Sequence, residues 1–247
     1  MSRHYGSIAF TDPVSDVQER YGSRRFYDGQ RGRRDAAQAE LPGTASNGDA
    51  LTPDVVDFLA GQDSCCVATV SATGWPYVQF RGGPRGFLRV LGDHSLGWAD
   101  FRGNLQYVTV GNLRGDARVA LLMVDFATRR RLKVFGHARV AFADEEPELV
   151  AELAPPHYEA VVERAVVVSV DAFDWNCPQH ITPRFTLEEM QPVLAGLRQR
   201  VAALQAENRE LTALVGAKGD SARHAPTGTP GTSEAGAADE GRSQPSS

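Results

Sequence analysis

Residues 64–83 read SCCVATVSATGWPYVQFRGG, with runs of β-branched, small and aromatic residues on both sides of the turn signal ATGWP. Short runs of this kind, bounded by glycine and proline, are typical of antiparallel strands. Similar runs follow in GFLRVL, SLGWA, ARVALLMVD, RLKVFGHARVAF and RAVVVSVDAF. We therefore predict a mainly β fold, a closed or partly closed antiparallel barrel of six to seven strands whose first four strands form a meander.

Short helices are predicted around these strands. In LTPDVVDFLAGQ, Thr52 caps a helix, Pro53 takes its first position and Gly61 ends it. NLQYVTVGNL predicts a helix beginning at Asn104, and DEEPELVAEL predicts a helix packed across one end of the barrel. Residues 1–50 carry short helical segments and end in a stretch rich in glycine, alanine and serine. We expect an N-terminal arm and linker there, followed by the barrel domain at 51–186.

The C-terminal part of the chain carries a heptad pattern. Valine at a, leucine at d and a single asparagine at a favour a parallel two-stranded coiled coil, which we assign to residues 187–216. The alternative is one amphipathic helix lying on its own barrel. Residues 217–247 have almost no large apolar side chains, which predicts a disordered tail. The seam positions are Leu194, Leu197, Val201, Leu204, Asn208, Leu211 and Val215.

Composition and charge narrow the class of protein. The chain has 247 residues and a net charge of -5, so no overall positive field would draw it to nucleic acid or to an anionic membrane. The cysteines, Cys65, Cys66 and Cys177, comprise an adjacent pair and an odd one, which argues against a disulfide framework. The N-terminus lacks an apolar signal core, and no run approaches the roughly 18 apolar residues of a membrane span. We therefore expect a soluble, cytoplasmic protein without a nucleic-acid or membrane partner.

Residues 175–185, WNCPQHITPRF, crowd polar and aromatic side chains into one segment. Cys177 and His180 have zinc-like spacing, but a structural zinc needs four ligands and the other cysteines lie together in an apolar strand, so we predict no metal site. Pro178 directly after the cysteine disfavours a Cys/His nucleophile. Two interpretations remain. The segment holds a planar ligand with groups such as Trp175 and Arg184, or it is a loop that satisfies its own backbone.

A second polar segment is GWADFRGNLQYVTVGNL. Its turn carries Asp100 and Arg102, and the predicted helix start brings Asn104, Gln106 and Tyr107 close to it. The unpaired amides and the dipole of a helix start form a natural anion site, to which an arginine adds charge. Asn104 could equally serve as a simple helix cap.

A third polar segment is YVQFRGGP. Strand alternation places Tyr77, Gln79 and Arg81 on one face, and Gly82 beside them permits close backbone approach. A polar face on a barrel strand is either exposed to solvent or lines a ligand.

In their order along the chain, four segments together resemble the FMN-binding split barrels related to pyridoxamine 5'-phosphate oxidase. The segments are SCCVATVSATGWPYVQFRGGPRGFLRVL, LGWADFRGNLQYVTVGNLRGDARVALLMVD, RLKVFGHARV and WNCPQHITPRF. The resemblance covers roughly residues 51–186, and HYGSIAFTDPVSDVQERYGS resembles the N-terminal arm of one bacterial branch. It implies an FMN-binding split barrel.

The resemblance also implies a homodimer with FMN at the subunit interface, where each cofactor touches both chains. One chain would line the flavin and its phosphate, and the partner would bring an aromatic and a basic residue toward the ring. Gly82 stands where the family's strand motif ends in a lysine, so Arg81 or Arg102 would supply that charge and pyridoxal phosphate synthesis is not expected. The implied cofactor-binding residues are Gln79, Arg81, Gly82, Ala99, Asp100, Asn104, Gln106 and Tyr107 of one chain, with Trp175 and Arg184 from the other.

The function implied by the resemblance is an FMN-dependent oxidoreductase that transfers hydride between flavin and a small substrate. The sequence singles out no catalytic residue, and flavin chemistry requires none because the cofactor carries the reactivity. The alternatives are a non-enzymatic flavin- or haem-binding module and a deazaflavin-dependent reductase. The cofactor alternatives to FMN are therefore FAD, deazaflavin and haem. An interaction scaffold without a ligand is the remaining possibility.

Overall fold

The computed structural model describes residues 2, 4–29 and 48–223, with side chains described as far as residue 216. Met1–Phe185 and Thr186–Ser247 form two compact units. The first unit holds a sheet with short helices, and the second holds one long helix. None of the helices in the described ranges combines the length and apolar character that crossing a membrane requires.

Seven strands form one antiparallel sheet, in the order β2-β1-β5-β6-β7-β4-β3. Because β2 and β3 are the two edges and do not pair with each other in the described chain, the barrel is split between them. The predicted mainly β, split-barrel fold is confirmed. The strands are β1 (Ser64–Val70), β2 (Pro76–Gly82), β3 (Arg89–Gly92), β4 (Ser95–Phe101), β5 (Arg118–Asp125), β6 (Arg130–Phe142) and β7 (Val162–Asn176).

The predicted meander of the first four strands is wrong. β1 pairs with β2 and β3 pairs with β4, but β2 and β3 lie at opposite edges of the sheet. The first hairpin continues into β5 and the second into β7, so residues 83–88 carry the chain between the edges. Gly83 fits this passage because a Cβ there would lie 2.8 Å from the Cβ of Phe87. Strands that follow one another in the sequence were expected to pair. Residues 83–88 instead connect the two edges of the sheet, so they do not form a hairpin turn.

Short helices surround the sheet of the first unit. They are α1 (Tyr5–Ala9), α2 (Asp12–Arg20), α3 (Pro53–Ala60), α4 (Val108–Gly115) and α5 (Pro147–Leu153), and residues 24–29 are also helical. As predicted, α3 begins at Pro53 and ends before Gly61. α5 lies across one end of the barrel, where it covers a row of small side chains: Ala99, Ala141 and Ala165.

The hydrophobic core fills the inner face of the sheet. Alternate residues of β1 are buried, so Cys65 and Val67 point inward. α3 closes the core with Val55 and Leu59, both 0% exposed, and Trp98 of β4 lies at its centre. Burying each such side chain stabilises the fold by roughly 1.5–3 kcal/mol relative to leaving it in water.

The predicted helix start at Asn104 is wrong, because α4 begins at Val108. Leu105 and Tyr107 have φ values of 62° and 54°, which lie outside the right-handed helical region. Instead of entering a helix, Asn104 closes a turn in which its side-chain oxygen accepts a hydrogen bond from the backbone N–H of Gln106, at 3.2 Å. The apolar pattern of the segment gave no signal for these two left-handed residues.

The N-terminal arm packs on the outer face of the sheet. The ring of Tyr5 stacks on Phe135, with centroids 5.3 Å apart, and its hydroxyl lies 2.5 Å from the amine of Lys133. The backbone N–H of Ser2 donates a hydrogen bond to the carbonyl of Phe173. The arm therefore covers β6 and β7. The predicted linker falls mostly on residues 30–47, which lie outside the described residues.

The second unit begins with a capping box, in which Thr186 and Glu189 exchange hydrogen bonds between side chain and backbone. Helix α6 then runs over Leu187–Arg223, with the heptad residues exposed, among them Leu197 at 58% and Val201 at 52%. The helix continues past the predicted end at residue 216, as far as Arg223. The rest of the predicted disordered tail, 224–247, lies outside the described residues.

Candidate functional site

Charged and polar side chains converge where β2, β4, β7 and α4 meet. Gln79 and Arg81 lie on the inward face of edge strand β2, as strand alternation predicts. Asp100 is the last buried residue of β4 and is 5% exposed, while Arg164 is the third residue of β7 and is 6% exposed. Register explains the approach of the last two residues, because Asp100 is paired directly with Arg164.

Asp100 lies between two guanidinium groups. Its Oδ1 is 3.1 Å from Nε of Arg81, and its Oδ2 is 3.4 Å from Nε of Arg164. Both distances suit ion pairs, yet neither Nε–H group makes a hydrogen bond with any described partner. The two nitrogens are close enough to the carboxylate oxygens for hydrogen bonds, but their N–H bonds do not point at those oxygens. Two buried arginine donors are therefore left with unused hydrogen-bonding capacity.

Burial raises the pKa of the Asp100 carboxyl above its ordinary value of 3.8, although Arg81 and Arg164 pull the pKa in the opposite direction. Burial thus disfavours the charged form of this carboxyl group more strongly than the two arginines favour it. Such arrangements, with desolvation set against specific charge partners, are frequent where a protein binds a charged ligand.

Glu163 contacts three side chains at the edge of this site. It forms an ion pair with Arg164, accepts a 2.9 Å hydrogen bond from Nε of Arg102 and accepts a 3.3 Å hydrogen bond from the hydroxyl of Tyr107. The guanidinium carbon of Arg164 lies 4.8 Å from the centroid of the Tyr107 ring. These contacts hold Tyr107 against the buried arginine, which accounts for its tolerated left-handed backbone.

Helix α4 is tied to the inner strands by two side-chain hydrogen bonds. The hydroxyl of Thr109 donates to Oε1 of Gln79 at 2.8 Å, and the amide of Asn112 donates to the hydroxyl of Thr69 at 2.9 Å. The amide group of Gln79 is thereby oriented, and its N–H donors remain on the side away from the helix.

Two adjoining spaces lie on either side of Tyr107. We call the first the small cavity; it measures about 40 Å³ and is lined by Gln79, Arg81, Asp100, Asn104, Tyr107 and Arg164 among others. We call the second the large cleft; it measures about 550 Å³ and is lined by Arg102, Tyr107, Gly111, Arg114, Phe142 and Val162 among others. Glu163 and Arg164 contribute to both spaces.

The structure does not bring every predicted residue of this chain into the small cavity. Ala99 is 3% exposed and packs in the alanine row under α5, so its side chain faces that helix and not the cavity. Gln106 is exposed, and Gly82 lies at the end of β2 beside the ring of Phe80. The side chain of Ala99 is therefore not available to a ligand in the small cavity.

Trp175 and Arg184 lie far from the small cavity of their own chain. Trp175 is at the opposite end of β7 from Arg164, about 35 Å along a strand with a rise of roughly 3.3 Å per residue. Its ring packs edge-on against Phe58, with centroids 4.8 Å apart, beneath the guanidinium of Arg130. Arg184 lies over the ring of Phe126 at the β5-β6 turn. Within one chain these residues cannot share a ligand with the small cavity.

Sequence reasoning missed Glu163, Arg164, Thr109 and Arg114. The signal for Arg164 was present, since an arginine opens the long apolar run AVVVSV and lies inside a strand that is otherwise buried. Lys, Arg, Asp and Glu are seldom fully buried without a partner. A charged residue at such a position therefore predicts a paired or ligand-binding group.

The cysteines offer no nucleophile in this site. Burial raises the pKa of Cys65 to about 12, so its thiol stays protonated at neutral pH. Cys177 is exposed. The described part of the chain has no group of three or more His, Cys, Asp or Glu side chains that could hold a metal ion.

Comparisons with solved structures give partial likenesses at low identity. HupZ of Group A Streptococcus matches 54% of this chain and 99% of its own, with 16% identity and a TM-score of 0.42. An FMN-binding protein from Syntrophomonas wolfei matches 48% and 80%, with 13% identity and a TM-score of 0.38. HutZ, the heme storage protein of Vibrio cholerae, matches 51% and 94%, with 14% identity and a TM-score of 0.33.

No curated protein sequence matches the chain. The family model described as pyridoxamine 5'-phosphate oxidase matches residues 51–175. This match begins just before α3 and ends one residue before the end of β7. It therefore covers the seven strands and the small cavity. Because it spans half of the sequence, the chain belongs to the pyridoxamine 5'-phosphate oxidase family.

Proposed function

We propose that this protein is an FMN-dependent oxidoreductase that transfers hydride between flavin and a small substrate. The observation that carries the proposal is the pair of arginines Arg81 and Arg164, whose buried Nε–H groups lack hydrogen bonds beside the small cavity. A buried donor without a partner costs about 1–3 kcal/mol, which a ligand that accepts its hydrogen bond can recover. Family membership supplies the expectation of a flavin.

The small cavity fits the phosphate end of FMN. Its volume of about 40 Å³ has room for a small group such as a phosphate and excludes an isoalloxazine ring. Arginine forks are well matched to phosphate oxygens, and Arg81 would supply the charge that the family's lysine supplies elsewhere. The amide of Gln79, oriented by Thr109, would donate to the ribityl chain or the phosphate.

When bound, FMN would supply the redox chemistry through its ring. The residues of this chain would bind and orient it. Arg81 and Arg164 would neutralise the phosphate charge, while Asp100, which lies between the two guanidinium groups, would help to position them. Tyr107, fixed by Glu163, would close the rim and limit the access of water.

A homodimer would complete the site. The outer face of the sheet exposes an apolar row across three strands, in which Cys66 is paired with Phe80 on one side and with Leu122 on the other. Phe80 is 66% exposed and Leu122 is 38% exposed. An exposed apolar patch on a soluble domain favours an interface. A second copy seated nearby would bring its Trp175 and Arg184 toward a flavin whose phosphate lies in the first chain.

A parallel coiled coil would support this dimer. Helix α6 exposes the leucines of its heptad seam, for example Leu204 at 46% and Leu211 at 56%, and Asn208 lies between them at an a position. Pairing two such helices buries both seams, and a buried asparagine pair sets a parallel register. The pairing raises the effective concentration of one barrel near the other, so dimerisation and FMN binding would be linked.

The proposal is tested by titrating FMN into the purified full-length protein and following the quenching of flavin fluorescence. We expect binding that weakens at least tenfold in Arg81→Met, because a charge-assisted hydrogen bond contributes about 1.5–3 kcal/mol. Arg89→Met, which removes an exposed arginine on β3, is the matched control and should bind like the wild type. Binding of haem or deazaflavin instead of FMN would favour the corresponding alternative, and FMN binding without any turnover of electron donors would favour a non-enzymatic module.

A further inference from the structure

A third cleft opens between α3, the chain that connects the two edges of the sheet, and the residues that follow α5. We call it the α3 cleft; it measures about 560 Å³, which lies within the range of sites for small molecules. Within the described residues it shares no lining side chain with the small cavity or the large cleft. A ligand there would not touch a cofactor held in the small cavity of the same chain. The lining includes Val56, Ala60, Arg85, Arg89, Val90 and Leu153.

The geometry of α3 also separates this cleft from Trp175. Asp54 pairs with the guanidinium that lies over the Trp175 ring, and Phe58 packs edge-on against the same ring. Val56 and Ala60 line the cleft. At 100° per residue, the first two residues lie together on one side of the helix and the last two lie on the other. The cleft is therefore distinct from the surface that Trp175 would bring toward a flavin.

The walls of the α3 cleft are held by the backbone. In residues 84–87, the N–H of Gly86 donates a 2.8 Å hydrogen bond to the carbonyl of Gln62. Gly86 has a φ of 80°, and a Cβ there would lie 3.3 Å from the carbonyl oxygen of Ala60, so glycine suits this close approach. Residues 155–156, which also line the cleft, are both proline and have restricted φ angles. A cleft with fixed walls loses little conformational freedom when it binds a ligand.

The charged side chains that line this cleft in the described structure are both arginines. Arg85 and Arg89 are exposed. The guanidinium of Arg89 makes no ion pair, hydrogen bond or ring contact with any described residue. A cleft lined by charges of one sign concentrates its field and attracts the opposite ion, even though the whole chain has a net charge of -5. The cleft therefore favours an anion, and an arginine fork can bind a carboxylate through two parallel hydrogen bonds.

The rest of the lining is mainly apolar. Val56 and Val90 are half-buried, and Leu153 and Phe87 are buried at 2% and 3% exposure. These side chains offer apolar surface within the same space as the two cations. The lining suits a ligand that has one carboxylate and a compact aromatic or branched apolar body.

We propose that the α3 cleft is a binding site for a small organic carboxylate with an aromatic or branched apolar body. The proposal goes beyond the flavin function and does not depend on it, because the cleft lies outside both spaces assigned to that function. Arg89 selects the anion, since its guanidinium has no other described partner. The apolar lining selects the body of the ligand.

The test uses naphthaleneacetate as the probe and naphthaleneacetamide, which has nearly the same shape without the charge, as its neutral counterpart. Isothermal titration calorimetry is performed on the full-length protein in excess FMN. We expect naphthaleneacetate to bind the wild type, and we expect binding about tenfold weaker both for the amide and for naphthaleneacetate with Arg89→Met. Arg89→Lys should retain part of the affinity, because it keeps the charge and loses the fork. Arg81→Met, which changes the small cavity, is the control and should bind the probe like the wild type.

A second variant tests the location of the site without changing its charge. Ala60 is exposed at the end of α3 and lines the cleft, so Ala60→Phe should leave the core intact and fill part of the space. We expect it to weaken naphthaleneacetate at least tenfold. In FMN titrations Arg89→Met should match the wild type, because Arg89 lines neither the small cavity nor the large cleft.

The inference is wrong if naphthaleneacetate does not bind, if it binds the wild type and Arg89→Met equally, or if the amide binds as tightly as the anion. A loss of binding in Arg81→Met without a loss in Arg89→Met would place the probe in the small cavity and would also overturn the inference. If the protein takes up no FMN, the proposed function fails. The α3 cleft is then decided by the same titration on flavin-free protein, where Arg89-dependent binding of naphthaleneacetate would support it.

Discussion

Replacing Asp100 with asparagine should not destabilise the protein at neutral pH, although it removes a carboxylate that lies between two arginines. Attraction to the guanidinium groups of Arg81 and Arg164, at 3.1 and 3.4 Å, favours the charged carboxylate. Removing that carboxylate from water costs several kcal/mol, and neither Nε–H group forms a hydrogen bond that would offset this cost. The pKa of Asp100 is raised because the cost of burying its charge exceeds the stabilisation of that charge by both arginines.

The sign of the pH dependence follows from this shift. The pKa of Asp100 is higher in the folded protein than its unfolded value of 3.8, so between the two values the folded state binds more protons. The free energy of unfolding therefore falls as pH rises through the folded pKa, by about 1.4 kcal/mol for each unit of separation. In Asp100→Asn this fall is absent. The variant should be as stable as the wild type near pH 4 and equally or more stable at pH 7.

The assay is urea unfolding of wild type and variant at a series of pH values from about 4 to 7, because their difference isolates the one carboxyl group. Asp116→Asn is a control of opposite sign, since hydrogen bonds from Arg118 lower the pKa of Asp116 to about 2. That variant should lose stability at neutral pH and approach the wild type only in strong acid. A loss of about 3 kcal/mol or more in Asp100→Asn at pH 7, or a pH profile parallel to the wild type, would refute the reasoning.

Three further variants test the packing and the assembly. Gly136→Ala should lower the free energy of unfolding by about 1–3 kcal/mol in urea melts, since its Cβ would lie 2.3 Å from the carbonyl oxygen of Ser169. A normal stability would show that the β6-β7 bulge can shift. Gly111→Ala should raise the free energy of unfolding by about 0.5–1 kcal/mol, because the helical site has open space around it, and a loss would contradict this. Leu204→Glu should shift the protein toward monomer in analytical ultracentrifugation, whereas Ala203→Glu, off the seam, should not; equal behaviour would count against the coiled coil.

Local signals in the sequence predicted most of the fold because each strand carries its own pattern. The alternation of buried residues in β1 and the polar face of β2 are both readable from residue order. Pairing of distant strands has no such signal, so the separation of β2 and β3 to opposite edges was not foreseen. The sequence GGPR predicts a turn, and only the structure shows that Gly83 is needed there because it packs closely against Phe87.

The candidate site was predictable only in part, for a related reason. Gln79, Arg81 and Asp100 follow from strand alternation and strand ends, and the structure brings them together around the small cavity. Arg164 belongs to the site because it is paired with Asp100 between β4 and β7. Neither segment alone shows this pairing in its sequence. The late start of α4 depends on the left-handed residues Leu105 and Tyr107. The conformation of Tyr107 is held by tertiary contacts with Glu163 and Arg164 and not by local propensity.

The central claim, that Arg81 and Arg164 hold the phosphate of FMN, is tested most directly by comparing FMN with riboflavin in fluorescence titrations of the purified protein. Riboflavin has the same ring and ribityl chain and lacks only the phosphate. The account predicts that FMN binds at least tenfold more tightly than riboflavin in the wild type and that Arg81→Met removes most of this preference. Equal affinity for the two flavins, or no binding of either, would contradict it.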